Sequence, residues 1–448
     1  MMLEEKIFDK QYEKIEKLLK TAQNSTYYCH LFDQAGIDFS KKLDYETFRS
    51  IPFLDKNIYN IQKYNMIVNR PADFNVQYLE DIESGYLRNQ YLDQFNMRYM
   101  ITSGSTGQPL EVLKSYRGLD KDYVTLNFYR KRMTTYDFKG QFIWIWPENP
   151  VVRKFFNNNE FNNLEFRREN AYGYKYMLYE HSESNFHKIF NFMVENNIEW
   201  ITTSPSVLYE LALYMKENNL LYSGIKYIEC HSEKLHKWQA ETITDVFQIS
   251  PVSIYSSNEI QFIGGTCTAG GLHLFNSCFI EFIENSQGIK EIYVTSFNEM
   301  TIPIIRYKLG DCGDWSNECN CNHNCNFINS PQFNLKGYRT NDTVVTRNNT
   351  QVEPFIITDS IYLLNLKLKM NIREHKVIQR TINRFEYYIL TEQRNNVSDN
   401  IICNFLKNYL QTILGYEIEV SINDYKNIVV VGSEKYKYFE NKVSNTLH

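Results

Sequence analysis

The chain has 448 residues, of which 43% are hydrophobic and 23% charged, enough for at least two cored domains and too apolar for a disordered polymer. A formal net charge of -5 spreads no basic field over the surface, which argues against a nucleic-acid backbone as partner. No apolar run approaches the roughly 20 residues that cross a bilayer, and the charged, helix-patterned start MMLEEKIFDKQYEKIEKLLK does not read as a secretory leader, so a cytoplasmic protein with no membrane partner is expected.

Acids, lysines and apolar residues alternate at helical spacing over residues 3 to 32, and IPFLDKNIYN from residue 51 reads as a turn leading into another helix. The first hundred residues are therefore expected to be mostly helical. The run FIWIW, 142 to 146, predicts a buried strand, and IEWITTSPSVLYELALYMKENN, 198 to 219, passes from a strand through Ser-Pro-Ser into an amphipathic helix. IKYIEC, HSEKLHKWQAETITDVF and VSIYSS repeat the order strand, helix, strand, the pattern of a parallel sheet with crossover helices. Beyond residue 272 the stretches LHLFNSCFIEFI, KEIYVTSF and IPIIRYKLGDCGDW predict a β-rich lobe. After LKGYRTNDTVVTRNNTQVEP come a helix-prone stretch from 355, strands at FEYYIL, EIEVSI and NIVVVG, and a helix around 399 to 412. The expected fold is thus α/β, with a large domain over 1–338, a hinge near Arg339 to Asp342, and a small α+β domain over 339–448.

Four groups of residues carry chemistry. In YMITSGSTGQPLEVLKS, residues Thr102, Ser103, Gly104, Ser105, Thr106 and Gly107 offer hydroxyls and close backbone N–H groups to an anion. The loop is not a P-loop, because Gln108 and Pro109 stand where Lys and Ser/Thr would follow the second glycine. Glu259, in IYSSNEIQF, falls just past the end of a predicted strand, where an acid can hold Mg²⁺ on a phosphate. In TIPIIRYKLGDCGDW, Arg306 and Asp311 flank a glycine turn, and Arg339 follows in GYRTND; they read either as groups for phosphate and ribose or as turn residues and a surface ion pair. Finally, CNCNHNC supplies Cys319, Cys321, His323 and Cys325, and Cys267 and His273 form a second thiol and imidazole pair, a donor set suited to tetrahedral Zn²⁺.

The series IPFLDK, TSGSTGQP, SPSVLYELA, SEKL, YSSNE, GTCTAGGLH, PIIRYKLGD, GYRTND and GSEKYKYF resembles, in order and over most of the chain, the adenylate-forming (acyl-activating) superfamily, within it the branch of phenylacetate-coenzyme A ligase and related capsule-biosynthesis proteins. The resemblance implies that Thr102 to Gly107 close over the ATP phosphates, with Ser232, Glu233, Tyr255, Ser256 and Ser257 around the nucleotide. It implies Glu259 on Mg²⁺, Asp311 on the ribose hydroxyls, Arg339 on ribose or phosphate, and Lys435 as the cation between carboxylate and α-phosphate, with Lys437 as its alternative. Physically, two anions must meet when a carboxylate attacks phosphorus, so a cation and Mg²⁺ have to offset their repulsion.

Relatives of this kind also place a Cys, a His and a later CxC pair alike, which implies structural zinc on Cys267, His273, Cys321 and Cys325, with His323 or Cys319 as substitutes. Ser256 and Glu434 stand where the family usually has glycine, Tyr338 splits the usual Gly-Arg pair, and Asn349 replaces a turn glycine. The implied activity is ATP-dependent conversion of a carboxylic acid to an acyl-AMP with pyrophosphate release, followed by transfer to coenzyme A or a carrier protein as the C-terminal domain rotates. An amine acceptor, or a weakly catalytic binding module, is the alternative. The acid and the oligomeric state, a homodimer among the options, stay open.

Overall fold

A computed structural model describes residues 3–102, 110–147, 166–178, 182–286, 288–316, 325, 327, 329–339, 344–347, 351–352, 355–368, 370, 372–391, 397–425 and 439–443. They divide into two compact units, the first made of 1–282, 292–309 and 315–334, the second of 283–291, 310–314 and 335–448.

The first unit begins with six helices: α1 (Leu3–Ala22), α2 (Thr26–Gln34), α3 (Tyr45–Arg49), α4 (Lys56–Gln62), α5 (Val76–Asp81) and α6 (Gly85–Asp93). In α1 the buried positions Ile7, Phe8, Ile15, Leu18, Leu19 and Ala22 recur at helical spacing and make one apolar stripe. Ser25, Asp44 and Asp55 cap the helices that follow, each side chain accepting from a backbone N–H three residues on. Strands β1 (Met97–Thr102) and β2 (Leu110–Ser115) then form an antiparallel hairpin, with Met97 opposite Ser115 and Thr102 opposite Leu110. The Ser/Thr/Gly stretch is the connection at its tip.

After α7 (Tyr116–Met133) come β3 (Gln141–Pro147), β4 (Phe166–Asn170), β5 (Gly173–Leu178), α8 (Glu183–Glu195), β6 (Ile198–Thr203), α9 (Pro205–Glu217), β7 (Tyr227–Cys230), α10 (Lys237–Phe247) and β8 (Val252–Ser257). Strands β8, β7, β6, β3 and β5 lie side by side in that order and all run parallel, with β4 antiparallel at the edge. Because side chains alternate across a strand, Ile143, Ile145, Ile201 and Ile228 face one way, where they meet Leu208, Leu211 and Met215 of α9 and Ile189 and Met193 of α8. Trp200, Tyr227 and Ile254 face the other way, against Leu126 and Tyr129 of α7. Cover on both faces is what a parallel sheet requires.

The sheet continues antiparallel through β9 (Gln261–Thr266), β10 (Leu272–Leu274) and β14 (Gln332–Arg339), then β13 (Tyr307–Trp315), β12 (Lys290–Ser296) and β11 (Cys278–Glu284). Two sequence expectations shift here. LHLFNSCFIEFI divides into β10 and β11, and the helix expected from His231 begins only at Lys237, behind a capping box made by His236 and Gln239.

The second unit holds β15 (Val344–Val345), β16 (Gln351–Val352), α11 (Phe355–Leu368), and a four-stranded sheet of β19 (Glu419–Asp424), β18 (Arg384–Thr391), β17 (Ile372–Thr381) and β20 (Phe439–Asn441), with α12 (Asp399–Leu414). Its own core includes Ile357, Leu364, Val377, Phe385, Ile402, Leu406 and Leu410. Buried Gln379 satisfies the backbone of β15, donating to the Val345 carbonyl at 2.8 Å and accepting from its N–H at 3.0 Å. The strand expected at NIVVVG, 427 to 432, lies outside the described residues.

Candidate functional site

Parallel strands bring their carboxyl ends to one edge of the sheet, and open α/β sheets bind ligands there, where successive connections leave in opposite directions. Here that point lies between β3, whose chain continues toward β4 and β5, and β6, whose chain continues toward β7. Past the end of β7 come His231, Ser232 at φ 73° and Glu233; Tyr255, Ser256 and Ser257 end neighbouring β8. The edge thus brings Ser232, Glu233, Tyr255, Ser256, Ser257 and Glu259 onto adjacent strand ends. Glu233 accepts from the Ser206 N–H at 3.3 Å, satisfying one of the open donors at the start of α9, whose N-cap Ser204 makes no side-chain capping bond.

At the same edge Trp144 and Trp146 of β3 sit edge to face with ring centroids 4.9 Å apart. The Lys175 ammonium lies 4.8 and 4.9 Å from the two ring centroids, and His231 approaches both. Sequence reading missed this wall, although the alternation in FIWIW puts both indoles on one face. In the neighbouring β5, Tyr176 is buried in the core and Tyr174 packs on Phe192.

Glu259 occupies the tight turn between β8 and β9. The Ile260 N–H donates to the Ser257 hydroxyl at 3.1 Å, Asn258 donates to the Ile101 carbonyl of β1 at 3.0 Å, and the Lys114 ammonium of β2 donates to the Glu259 carbonyl. Tyr307 donates to the Glu259 carboxylate at 3.1 Å. Two strands of the hairpin that carries the Ser/Thr/Gly loop are therefore bonded to the turn that carries the acid.

Beneath lies a buried polar cluster that sequence reading also missed. Glu299 accepts from the Ser115 N–H at 2.9 Å and hydroxyl at 2.8 Å, and from the N–H groups of Thr301 and Ile302. Gly118 in α7 leaves room for it, since a Cβ there would come 2.3 Å from its Oε2. Asp122 accepts from Asn298 at 2.7 Å, and burial pushes its carboxyl up to about 6 against the opposing pull of Lys114. The one sequence signal was a glycine inside a helical pattern.

Arg306 corrects both sequence alternatives, phosphate cation and surface ion pair. It is 2% exposed, forks onto Glu281 with two bonds of 2.9 Å, and donates to the carbonyls of Arg49 and Ile51. Leu54 completes the clamp, its N–H donating to the Arg306 carbonyl at 3.1 Å and its carbonyl accepting from Lys308 at 2.8 Å. The segments IPFLDK and PIIRYKLGD are thus partners of each other. Asp311 lies on β13 beside Gly310, whose φ is 82°, within the stretch grouped with the second unit.

Cys267, His273 and Cys325, all buried, place their ligand atoms within 4.8 Å of one another. The hairpin β9–β10 sets the first two: Gly270, at φ 84°, turns the chain, and the Cys267 N–H donates to the Gly271 carbonyl. His273 Nδ1 lies 3.3 Å from the Ser330 carbonyl, which makes it the N–H nitrogen and leaves the Nε2 lone pair to accept from the Gln332 amide at 3.0 Å, with Cys325 Sγ at 3.6 Å. Burial holds the imidazole below its ordinary range, in the neutral form that binds metal. Two thiols and an imidazole fit Zn²⁺.

Ser103, Gly104, Ser105, Thr106, Gly107, Cys319, Cys321, His323, Lys435 and Lys437 lie outside the described residues, as do the side chains of Thr102 and Arg339.

No protein-family model matches the chain, and no curated protein sequence matches it. Solved structures do. A 2-hydroxyisobutyryl-CoA ligase in the postadenylation state, holding 2-HIB-AMP, superposes with a TM-score of 0.65 at 12% identity over 97% of this chain and 88% of that one. The same ligase with 2-HIB-AMP and CoA gives 0.52 at 13% identity, over 95% of this chain and 90% of that one. An ATP-bound RpMatB-BxBclM chimera gives 0.51 at 12% identity, over 75% of this chain and 66% of that one. The chain therefore has the fold of the adenylate-forming ligases.

Proposed function

We propose that the chain is an ATP- and Mg²⁺-dependent acid–thiol ligase. The carboxylate oxygen of an acid attacks the α-phosphorus of ATP, the bond to the β-phosphate breaks, and pyrophosphate leaves. A thiolate then attacks the acyl carbon and AMP leaves. The observation that carries this reading is the joining of the Glu259 turn to both strands of the Ser/Thr/Gly hairpin, at the carboxyl edge of the parallel sheet. A cation-binding acid and a phosphate-suited loop have to sit that way to share one polyphosphate. The fold, which in similar structures holds an acyl-AMP or ATP, supports it.

In this reading Thr102 to Gly107 hold the β- and γ-phosphates, Ser232, Glu233, Tyr255, Ser256 and Ser257 the adenosine, Asp311 the ribose, and Arg339 the ribose or α-phosphate. Lys435, in the small domain over 339–448, offsets the charge that builds as carboxylate meets phosphate. Glu259 is the Mg²⁺ ligand, and the bound cation supplies charge neutralisation on the phosphates. The acid's body is assigned to the wall made by Trp144, Trp146 and His231. Coenzyme A is the first choice of acceptor, as in the ligase solved with CoA, and the motif series resembles the phenylacetate-CoA ligase branch. Zn²⁺ on Cys267, His273, Cys325 and one ligand from CNCNHNC is structural, since four such ligands close the site.

Pyrophosphate exchange across a panel of aryl and aliphatic acids tests the activity: acid-dependent exchange is expected. Silence across the panel together with no ATP-induced thermal shift would replace the ligase by a binding module. Metal analysis of chain purified without added metal should find about one zinc per chain, lost in Cys267→Ser.

A further inference from the structure

We infer that Tyr307 and Lys114 are positioning residues that hold Glu259 at two points, its carboxylate and its carbonyl, and tie that acid rigidly to the phosphate hairpin. The inference rests on the reading of Glu259 as a Mg²⁺ ligand on ATP. A glutamate in a two-strand turn has several rotatable bonds, and a cation site needs its oxygen placed to within about half an ångström. Tyr307 supplies that at the side chain. Its hydroxyl donates to Oε1 at 3.1 Å, which leaves Oε2 as the oxygen a cation takes.

The phenol is itself immobile. Tyr307 is 2% exposed, its ring meets the edge of buried Tyr59 at 6.4 Å, and its backbone bridges to Leu54. Tyr59 in turn accepts from the Leu113 N–H at 2.9 Å, so the phenol is braced by the residue next to Lys114.

Lys114 makes the more telling case, because it is fully buried. Removing an ammonium from water costs several kcal/mol unless charge partners and hydrogen bonds repay it, and a methionine of similar volume is often no worse for stability. The Lys114 charge offsets part of the upward push of burial on Asp122, and its hydrogen bond goes to the Glu259 carbonyl, 145 residues away. With Asn258 on the Ile101 carbonyl, the turn is bonded to β1 on one side of the loop and to β2 on the other. The acid's turn is thereby fixed to both strands that flank the Ser/Thr/Gly stretch.

The test uses the full chain and two variants, Tyr307→Phe, which removes one oxygen, and Lys114→Met. ATP-induced thermal stabilisation is titrated with Mg²⁺, with an EDTA arm reading ATP alone. For Tyr307→Phe we expect the half-saturating Mg²⁺ concentration to rise about tenfold, worth ~1.4 kcal/mol, with the nucleotide-free melting temperature and the EDTA arm unchanged. Lys114→Met should raise the Mg²⁺ requirement and weaken ATP binding in the EDTA arm as well, because it also frees the hairpin. An unchanged Mg²⁺ requirement in Tyr307→Phe overturns the inference, whether or not Lys114→Met folds. Wild-type chain whose response to ATP ignores Mg²⁺ removes the Glu259 reading first, and this inference with it.

Discussion

Two regions of the first unit bury their side chains by opposite means. Between the parallel strands and α8, α9 and α10, the burial is mostly of Ile, Leu, Val, Met, Ala and Phe, with neutral polar groups such as Thr203 bonded to the backbone and no buried charge in the cluster. Around the β1–β2 hairpin, α7 and β11–β13, the buried residues include Lys114, Ser115, Asp122, Glu281, Glu299 and Arg306, each hydrogen-bonded to a particular atom. Apolar burial is roughly proportional to area and indifferent to direction, so neighbours can be exchanged for others of like volume. Buried charge is stable only against the right partner in the right place, and loses several kcal/mol when that partner goes. The molecule puts the second kind of core beside the candidate cation site, where fixed geometry is needed, and the first kind behind the sheet.

This contrast can be broken by substitution. The largest effect is expected from Arg306→Met, which strands the Glu281 carboxylate at 1% exposure. A loss of roughly 3–5 kcal/mol should appear in urea unfolding, and Arg306→Met with Glu281→Leu should recover much of it. A single-variant loss under about 1 kcal/mol would mean that the charged core is no more demanding than the apolar one. Next, Leu211→Ala in α9 should cost roughly 3 kcal/mol through the cavity it leaves, with no partner substitution able to restore it.

The pH dependence sharpens the comparison. Asp122 titrates in the fold at about 6, above its value in an unfolded chain, so between roughly pH 4 and 6 the folded state binds the extra proton. Its contribution is present below that window and is lost as pH rises through about 6. The stability difference between Asp122→Asn and wild type should shift in the variant's favour by about 3 kcal/mol between pH 4 and pH 8. Parallel stability–pH curves for the two proteins would place the carboxyl outside that environment. The smallest effect belongs to Ile145→Val behind the sheet, about 1 kcal/mol in the same assay.

Local pattern carried much of the architecture. The alternation from Ile198 to Ser257 reads as strand, helix, strand because apolar periodicity and a Ser-Pro helix start are properties of neighbouring residues. Cys267 and His273 were legible as candidate donors because their side-chain chemistry is the signal, and the fold brings them together with Cys325. Arg306 was not, because an arginine beside a glycine turn looks the same whether it meets a phosphate or a buried glutamate 25 residues upstream. Nor was Lys114, which by sequence is a polar residue in a strand.

By itself, then, the sequence determined the α/β order of elements and marked Cys267, His273 and Cys325 as candidate donors. Only the tertiary structure decided which charges are internal. Ser115 finds Glu299 at a separation of 184 residues, and Lys114 finds the Glu259 carbonyl at 145. Hydrophobic periodicity is encoded within a few residues, whereas a buried charge is specified by a partner that only the closed fold brings within hydrogen-bond reach.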